Sequence, residues 1–279
     1  LKQVVAAHDL SGVGKASLAA AMPIISAMGS VVLPLPTAVL STVTGVFEGY
    51  RIVDLTEQMK NTIDHWKSLS VNPNCIYSGF LGSHEQVDII IWATEIFDKA
   101  FVVVDPVFAD EDRLYPTMTM ELVQNMKRLV AHADIITPNV TEAKYLLDEA
   151  KIETSVEGIK AWLKRLCDMG PSCAIITSAK LDGKMCVVIY NKEEDVFWRL
   201  NPEYIPVKCH GTGDIFASVL TGAIMRGEKV ESAATLAAEF VRSAILATLD
   251  EGYDLKYGVL VEKALEKLFL PGINKCERF

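Results

Sequence analysis

The sequence predicts an α/β fold with a mostly parallel central sheet and helices on both faces. Three observations predict it. Short apolar runs of strand length alternate with patterns of helix length along the 279 residues. The strand runs are continuously apolar rather than alternating, as in a sheet buried on both sides. Nearly every one ends in a polar or glycine residue, and in open α/β sheets ligands bind beyond the carboxyl ends of the strands.

In chain order, Val4–Ala7 is the first strand and ends at His8-Asp9. Ser11-Gly12-Val13-Gly14-Lys15-Ala16-Ser17 reads as a loop leading into a helix, with Asp9 and Ser11 at the mouth of the sheet. It matches neither nucleotide motif that it suggests. A P-loop needs GxxxxGK[ST], but Asp9 stands five before Gly14 and Ala16 follows Lys15. A dinucleotide fingerprint needs an acid about 20 positions on, and residues 28–37 contain none. Val31–Leu35 is the second strand, running toward Thr37. Ile52–Leu69 carries Ile52, Leu55, Met59, Ile63 and Trp66 at helical spacing. Strands Cys75–Tyr77 and Phe101–Val104 end at Ser78-Gly79 and Asp105, with a helix over Glu85–Ala100 between them. Helix Thr119–Ala131, strand Ile135–Thr137, helices Thr141–Ala150 and Val156–Met169 and strand Ala174–Thr177 follow. Asn139 and Ser178 stand just beyond the last two strands. Met185–Tyr190 and Val196–Leu200 flank the polar Asn191–Asp195 and read as an antiparallel hairpin at the sheet edge. Asp214–Arg226, Val230–Thr248 and Val259–Leu268 read as helices. The expectation is one domain over residues 1–279, loose from Pro271 onward.

Composition narrows the function. Half the residues are apolar, enough for a large core. The net charge of −9 without a dense Lys/Arg block argues against broad nucleic-acid binding. No apolar run is expected to approach the ~20 residues that span a bilayer, and Leu1–Ala7 reads as a strand rather than a signal peptide. The six cysteines form no CxxC pair, so they read as small core residues in a reducing, cytoplasmic setting.

The most informative segment is Cys209-His210-Gly211-Thr212-Gly213-Asp214, directly before an apolar helix. Its glycines let the backbone turn and approach a ligand closely. The unpartnered N–H groups of the helix start favour an anion. Asp214 in that place is either an acidic helix cap or a base beside a phosphate, and the segment alone leaves both open. Transfer of a phosphoryl group to a hydroxyl needs a base, a positive cradle, a metal and grips on both substrates. Asp214 is the candidate base and the Gly211–Asp214 backbone the cradle. Asp105 and Glu142 are candidates for magnesium, which takes oxygen ligands and keeps several waters. Asn139 suits a phosphate or a metal-bound water.

Gly-Thr-Gly-Asp at 211–214 resembles the signature of ribokinase-like small-molecule kinases. Asp105-Pro106-Val107 and Thr137-Pro138-Asn139-Val140-Thr141-Glu142 resemble the DPV and TPNxxE motifs of the vitamin-kinase branch, which acts on pyridoxal or hydroxymethylpyrimidine. Pro36–Gly45 and Ser78-Gly79-Phe80-Leu81-Gly82 resemble the substrate-side segments of pyridoxal kinases. The resemblance runs from Val4 to about Leu270. It implies a ribokinase-like three-layer sandwich with a minimal lid, and an ATP-dependent kinase of the 5′-hydroxymethyl group of pyridoxal, pyridoxine or pyridoxamine.

Residue by residue, the resemblance makes Asp214 the base and Gly211, Thr212 and Gly213 an anion hole. It assigns Asp105 and Glu142 to Mg2+. It lays Asp110, Thr137, Asn139, Ser178 and Lys208 along the nucleotide, and Asp9, Ser11, Thr44 and Phe80 against the pyridine ring. ATP as co-substrate, a monovalent cation and a homodimer are further implications. Val43 stands where a His is expected before Thr44, and Phe80 where a Tyr is expected. Both changes remove polar groups from the ring site. Hydroxymethylpyrimidine kinases usually carry Cys in place of Asp214, which favours pyridoxal. Hydroxymethylpyrimidine kinase, and a catalytically silent pyridoxal-binding protein of the same fold, stay as alternatives.

Overall fold

The structure, a computed structural model, describes residues 1–269 and 276–279. Its strands are β1 (Gln3–Val13), β2 (Val31–Thr42), β3 (Ile52–Asp54), β4 (Cys75–Ser78), β5 (Phe101–Val104), β6 (Ala109–Asp110), β7 (Arg113–Leu114), β8 (Ile135–Ile136), β9 (Cys173–Leu181), β10 (Lys184–Asn191), β11 (Val196–Leu200) and β12 (Glu277–Arg278). Its helices are α1 (Ser17–Ala27), α2 (Thr56–Ser68), α3 (His84–Ile96), α4 (Met120–Val130), α5 (Val140–Leu146), α6 (Val156–Asp168), α7 (Thr212–Met225) and α8 (Val230–Asp250). All strands but β6 and β7 form one sheet in the order β12-β11-β10-β9-β8-β5-β4-β1-β2-β3. From β2 to β9 the neighbours run parallel. At the edges β3, β10, β11 and β12 pair antiparallel. The mostly parallel sheet with helices on both sides is thus as the sequence predicts.

The helices divide between the two faces. Residues of α2 to α6 bury one apolar cluster, including Met59, Ile90, Met126, Leu146 and Trp162. Residues of α1, α7 and α8 bury another, including Ile24, Val219 and Phe240. The central strands explain the continuous apolar runs: every residue of β4 and β8 is buried. Side-chain caps fix several helix starts. Ser83 Oγ accepts from Gln86 N at 3.3 Å and Thr119 Oγ1 from Leu122 N at 3.2 Å. Each satisfies a backbone donor that the helix itself leaves unpaired.

Several local expectations are corrected. Residues 9–13 are not a loop: β1 runs to Val13 and β2 to Thr42, paired to the end. The β1–β2 register slips between His8 and Leu10, and such irregularities re-aim side chains. Helix is absent over 52–54, where Ile52–Asp54 adds a short edge strand before α2. The expected Thr141–Ala150 helix ends at Leu146. Val259–Leu268 forms 3-10 turns rather than an α-helix. There Leu260 N donates to Thr248 Oγ1 of α8 at 2.8 Å, which draws the chain onto α8. α8 itself, at 21 residues, is long and apolar enough to cross a membrane, which the sequence reading did not expect. It packs on α7, with Ala233, Ala237 and Phe240 fully buried. Of the end expected to be loose, 271–275 lies outside the described residues. Beyond it, β12 pairs with β11 through Trp198–Arg278 and Arg199–Glu277. Phe279 stands over Phe197 with ring centroids 6.2 Å apart.

Candidate active site

Four carboxylates are buried at the carboxyl edge of the sheet. Asp9 lies in β1, Asp105 just after β5, Glu142 in the first turn of α5 and Asp214 in the first turn of α7. Asp214 owes its place to Gly211. That residue caps α7 with φ +78°, and a Cβ on it would stand 2.4 Å from the Lys15 carbonyl oxygen. Only glycine meets both conditions without strain. Asp214 Oδ2 accepts from Ser17 N at 2.7 Å. Ser17 Oγ donates to Asp9 Oδ1 at 2.6 Å, and Ser11 Oγ to Asp9 Oδ2 at 3.0 Å. Ser17 therefore ties Asp9 to Asp214, and it does so with φ +51°, a strained backbone for a serine.

The electrostatics follow from crowding and burial. Burial, and then the negative charge of Asp9, push the Asp214 carboxyl up to about 7 against the pull of the Ser17 N–H. Burial, and then Asp214, raise Asp105, although Thr137 Oγ1 donates to Asp105 Oδ1 at 3.0 Å. Burial and Asp105 raise Glu142 well above the usual carboxylate range. Gly213 belongs to the same spot, since a Cβ there would stand 3.9 Å from Asp105 Oδ2.

Glu142 and Asn139 are also structural. Asn139 Oδ1 accepts from Glu142 N at 2.9 Å and Glu142 Oε2 from Asn139 N at 2.9 Å, a reciprocal capping box on α5. Glu142 Oε1 accepts from Phe108 N at 3.1 Å, and Asn139 Nδ2 donates to the Ala109 carbonyl at 2.7 Å. Both side chains thus hold the 105–110 segment against α5. Among the described residues no three His, Cys, Asp or Glu side chains gather as a metal cage. The two mutually repelling buried carboxylates, Asp105 and Glu142, still fit magnesium, which uses one or two carboxylates and keeps its waters.

The remaining expected residues spread outward. Ser178, half-buried in β9, has its Oγ accepting from Val140 N at 3.2 Å. Asp110 is exposed in β6. Lys208 is exposed and its Nζ pairs with Glu111 Oε1 at 2.7 Å, which links the irregular segment before α7 to the β6–β7 hairpin. Thr44 is exposed beyond β2. Phe80 is half-buried against the core, and its carbonyl accepts from Thr37 Oγ1 at 3.2 Å. Val43 is buried against Gly14, where a Cβ would meet it at 2.6 Å. Cys209 packs against the α7–α8 cluster, and burial raises its thiol, as suits a packed residue.

Three residues near the site carry no sequence signal that marks them as functional. Ser17 was legible only as the end of a glycine-rich stretch. Tyr115 is half-buried near Glu142, Asp110, Asp214 and Asp105, whose charges add to burial in raising its phenol. His8 reads in the sequence only as a polar strand end; it is completely buried, with Nδ1 3.9 Å from Asp214 Oδ1.

Residues 14–258 match the family model described as phosphomethylpyrimidine kinase. The chloroplastic thiamine biosynthetic bifunctional enzyme of Arabidopsis thaliana is 28% identical over 95% of the chain. The chain spans about half of that relative, 49% of its length. A crystal structure of a candidate phosphomethylpyrimidine kinase from Bacteroides thetaiotaomicron, in a form with pyridoxal, is 41% identical, with a TM-score of 0.95 over 100% of both chains. Pyridoxal kinase from Lactobacillus plantarum is 27% identical, with a TM-score of 0.88 over 96% of each chain. Matched over most of its length, the chain belongs to the phosphomethylpyrimidine kinase family of the ribokinase-like superfamily.

Proposed function

We propose that the protein transfers the γ-phosphoryl group of ATP to the 5′-hydroxymethyl group of pyridoxal, pyridoxine or pyridoxamine, supplying the 5′-phosphate in vitamin B6 salvage. One observation carries the chemistry. Asp214 is a buried carboxylate at a helix start, one oxygen held by Ser17, with its pKa raised to about 7. A base poised near neutrality is suited to take a proton at physiological pH. Similarity to a protein crystallised with pyridoxal supports the vitamer.

The attacking hydroxyl gives its proton to Asp214 Oδ1 as its oxygen forms the new P–O bond, and the bond to the departing ADP oxygen breaks. The N–H groups at the start of α7 face the charge that builds on the phosphoryl oxygens, a cradle that needs no reorganisation. Magnesium at Asp105, with Glu142 acting through water, would neutralise phosphate charge. Asp110, Thr137, Asn139, Ser178 and Lys208 serve the nucleotide side in this reading. Asp9, Ser11, Thr44 and Phe80 serve the ring side. A homodimer, a cytoplasmic setting, a monovalent cation and a single kinase domain over 1–279 belong to the same reading.

A second reading is hydroxymethylpyrimidine kinase, favoured by the family model and the thiamine-pathway relative. A side-by-side assay of ATP consumption with pyridoxal, pyridoxine, pyridoxamine and hydroxymethylpyrimidine decides between them. Magnesium-dependent turnover fastest with a B6 vitamer is the expected result. Faster turnover of the pyrimidine replaces the first reading with the second. Tight pyridoxal binding without turnover of any of the four would show a silent binding protein.

A further inference from the structure

We infer that His8 is a positioning residue for the base, its ring nitrogen receiving the proton-bearing Oδ1 of Asp214 as the hydroxyl is deprotonated. The inference rests on the kinase reading of Asp214. His8 is completely buried, and neither ring nitrogen has a hydrogen-bond partner. Buried polar atoms left in this way are uncommon. An apolar ring would fill the space without stranding two nitrogens.

The surroundings are shaped to keep an imidazole there. A Cβ on Gly79 would stand 1.7 Å from His8 Cε1, so the β4 end gives up its side chain to the ring. Tyr77 meets the imidazole edge-on with centroids 4.6 Å apart. Tyr77 also donates to the Asp214 carbonyl at 3.4 Å, and Ser218 Oγ to the same oxygen at 2.5 Å. The Asp214 backbone is thereby tied to the tyrosine that packs on His8.

The geometry separates the two carboxylate oxygens. Oδ2 is held by the Ser17 N–H, so Oδ1 is the oxygen open to a proton, and His8 Nδ1 lies 3.9 Å from it. That separation is too long for a hydrogen bond. Burial pushes the imidazole down to about 3, so it stays neutral, with a proton on one nitrogen and a lone pair on the other, and in the inferred tautomer the lone pair is on Nδ1. In this Nε2–H tautomer, a carboxylate Oδ1 and the Nδ1 lone pair have nothing to share before transfer. After the substrate O–H proton has moved to Oδ1, the carboxyl has a donor and His8 an acceptor, and the two atoms start 3.9 Å apart. An interaction present only as the proton arrives favours the transition state over the ground state. The other titratable groups facing Asp214 are Asp9 on β1, Tyr77 on β4, Asp105 after β5 and Tyr115 beside the β6–β7 hairpin. Among the described residues none of these hydrogen-bonds Oδ1: Tyr77 reaches only the Asp214 backbone carbonyl, and Oδ2 takes the Ser17 N–H.

The test compares His8→Phe and His8→Gln with wild type. Removing an acceptor for the protonated form lowers the Asp214 pKa, so the acid limb of the kcat/KM profile moves to lower pH in His8→Phe. Its kcat falls by about tenfold with KM for vitamer and ATP unchanged, as for an interaction made only in the transition state. His8→Gln, which restores an acceptor, recovers a large part of both effects at matched thermal stability. A wild-type pH profile and kcat in His8→Phe overturn the inference. So do equal losses in both variants that follow their Tm values. Carboxyl-carbon NMR titration of Asp214 in the substrate-free protein gives an independent reading. A downward shift in His8→Phe, absent in His8→Gln, supports the inference, and no shift refutes it. If wild type turns over no substrate, the kinase reading fails while this titration still decides the role of His8.

Discussion

Replacing Asp214 by Asn should separate stability from activity in a way that depends on pH. The carboxyl rises from 3.8 to about 7 on folding, chiefly by burial. The folded state therefore holds the proton more tightly than the unfolded chain. Stability is full below the unfolded pKa and is lost as pH rises through the folded one. At about 1.4 kcal/mol per pKa unit, the loss by pH 8 is at most about 4 kcal/mol. Asn keeps the acceptor for the Ser17 N–H and carries no charge. Asp214→Asn should thus exceed wild type by about 1–4 kcal/mol at pH 8 and converge on it near pH 4. Urea unfolding of both proteins across that range measures the difference. The variant's turnover should fall by about 10²–10⁴-fold for a lost general base. A stability difference that stays constant with pH would refute the placement of a strained carboxylate here. Near wild-type turnover would refute the base.

Three further outcomes follow from the same geometry. Gly79→Ala should destabilise by about 1–3 kcal/mol through overpacking against His8, and adding His8→Ala should recover most of it in thermal unfolding; a double variant no better than the single one places the strain elsewhere. Asn139→Ala removes the α5 cap and the link to Ala109, with an expected loss of about 1–2 kcal/mol in urea; an unchanged midpoint would show that the capping box contributes nothing. Magnesium should raise the Tm at pH 8 by relieving repulsion between Asp105 and Glu142, and chelation should stop ATP turnover; an equal rise in Asp105→Asn would move the metal away from that pair.

Much of the fold was legible because a parallel sheet writes itself as apolar runs. Phe101–Val104 and Ile135–Ile136 could lie nowhere but in the sheet interior. Where local pattern misled, tertiary pairing was the cause. Gly12 and Val13 look like loop residues, yet β2 pairs with β1 as far as Val13. Ile52 fits the helical spacing that begins with it, yet it pairs with Leu40 at the sheet edge. Glu277 and Arg278 carry no strand signal of their own, and only β11 makes them a strand.

For the site, the sequence by itself determined which chemical groups are present and roughly where they stand. Gly211-Thr212-Gly213-Asp214 announces a turn, a helix start and a carboxylate, and Asp105 and Glu142 each stand beyond a predicted strand. The 211–214 segment alone leaves helix cap and catalytic base open for Asp214, because capping is local whereas basicity depends on burial; Asp105 and the Thr137–Glu142 segment favour the base without showing how it is tuned. Only the tertiary structure buried Asp214 beside Asp9, lifted it toward neutrality and fixed one oxygen on Ser17. Only the tertiary structure brought His8, 206 residues earlier in the chain, to 3.9 Å from the other oxygen. Desolvation and through-space charge decide what a carboxylate does, and neither is a property of its neighbours in sequence.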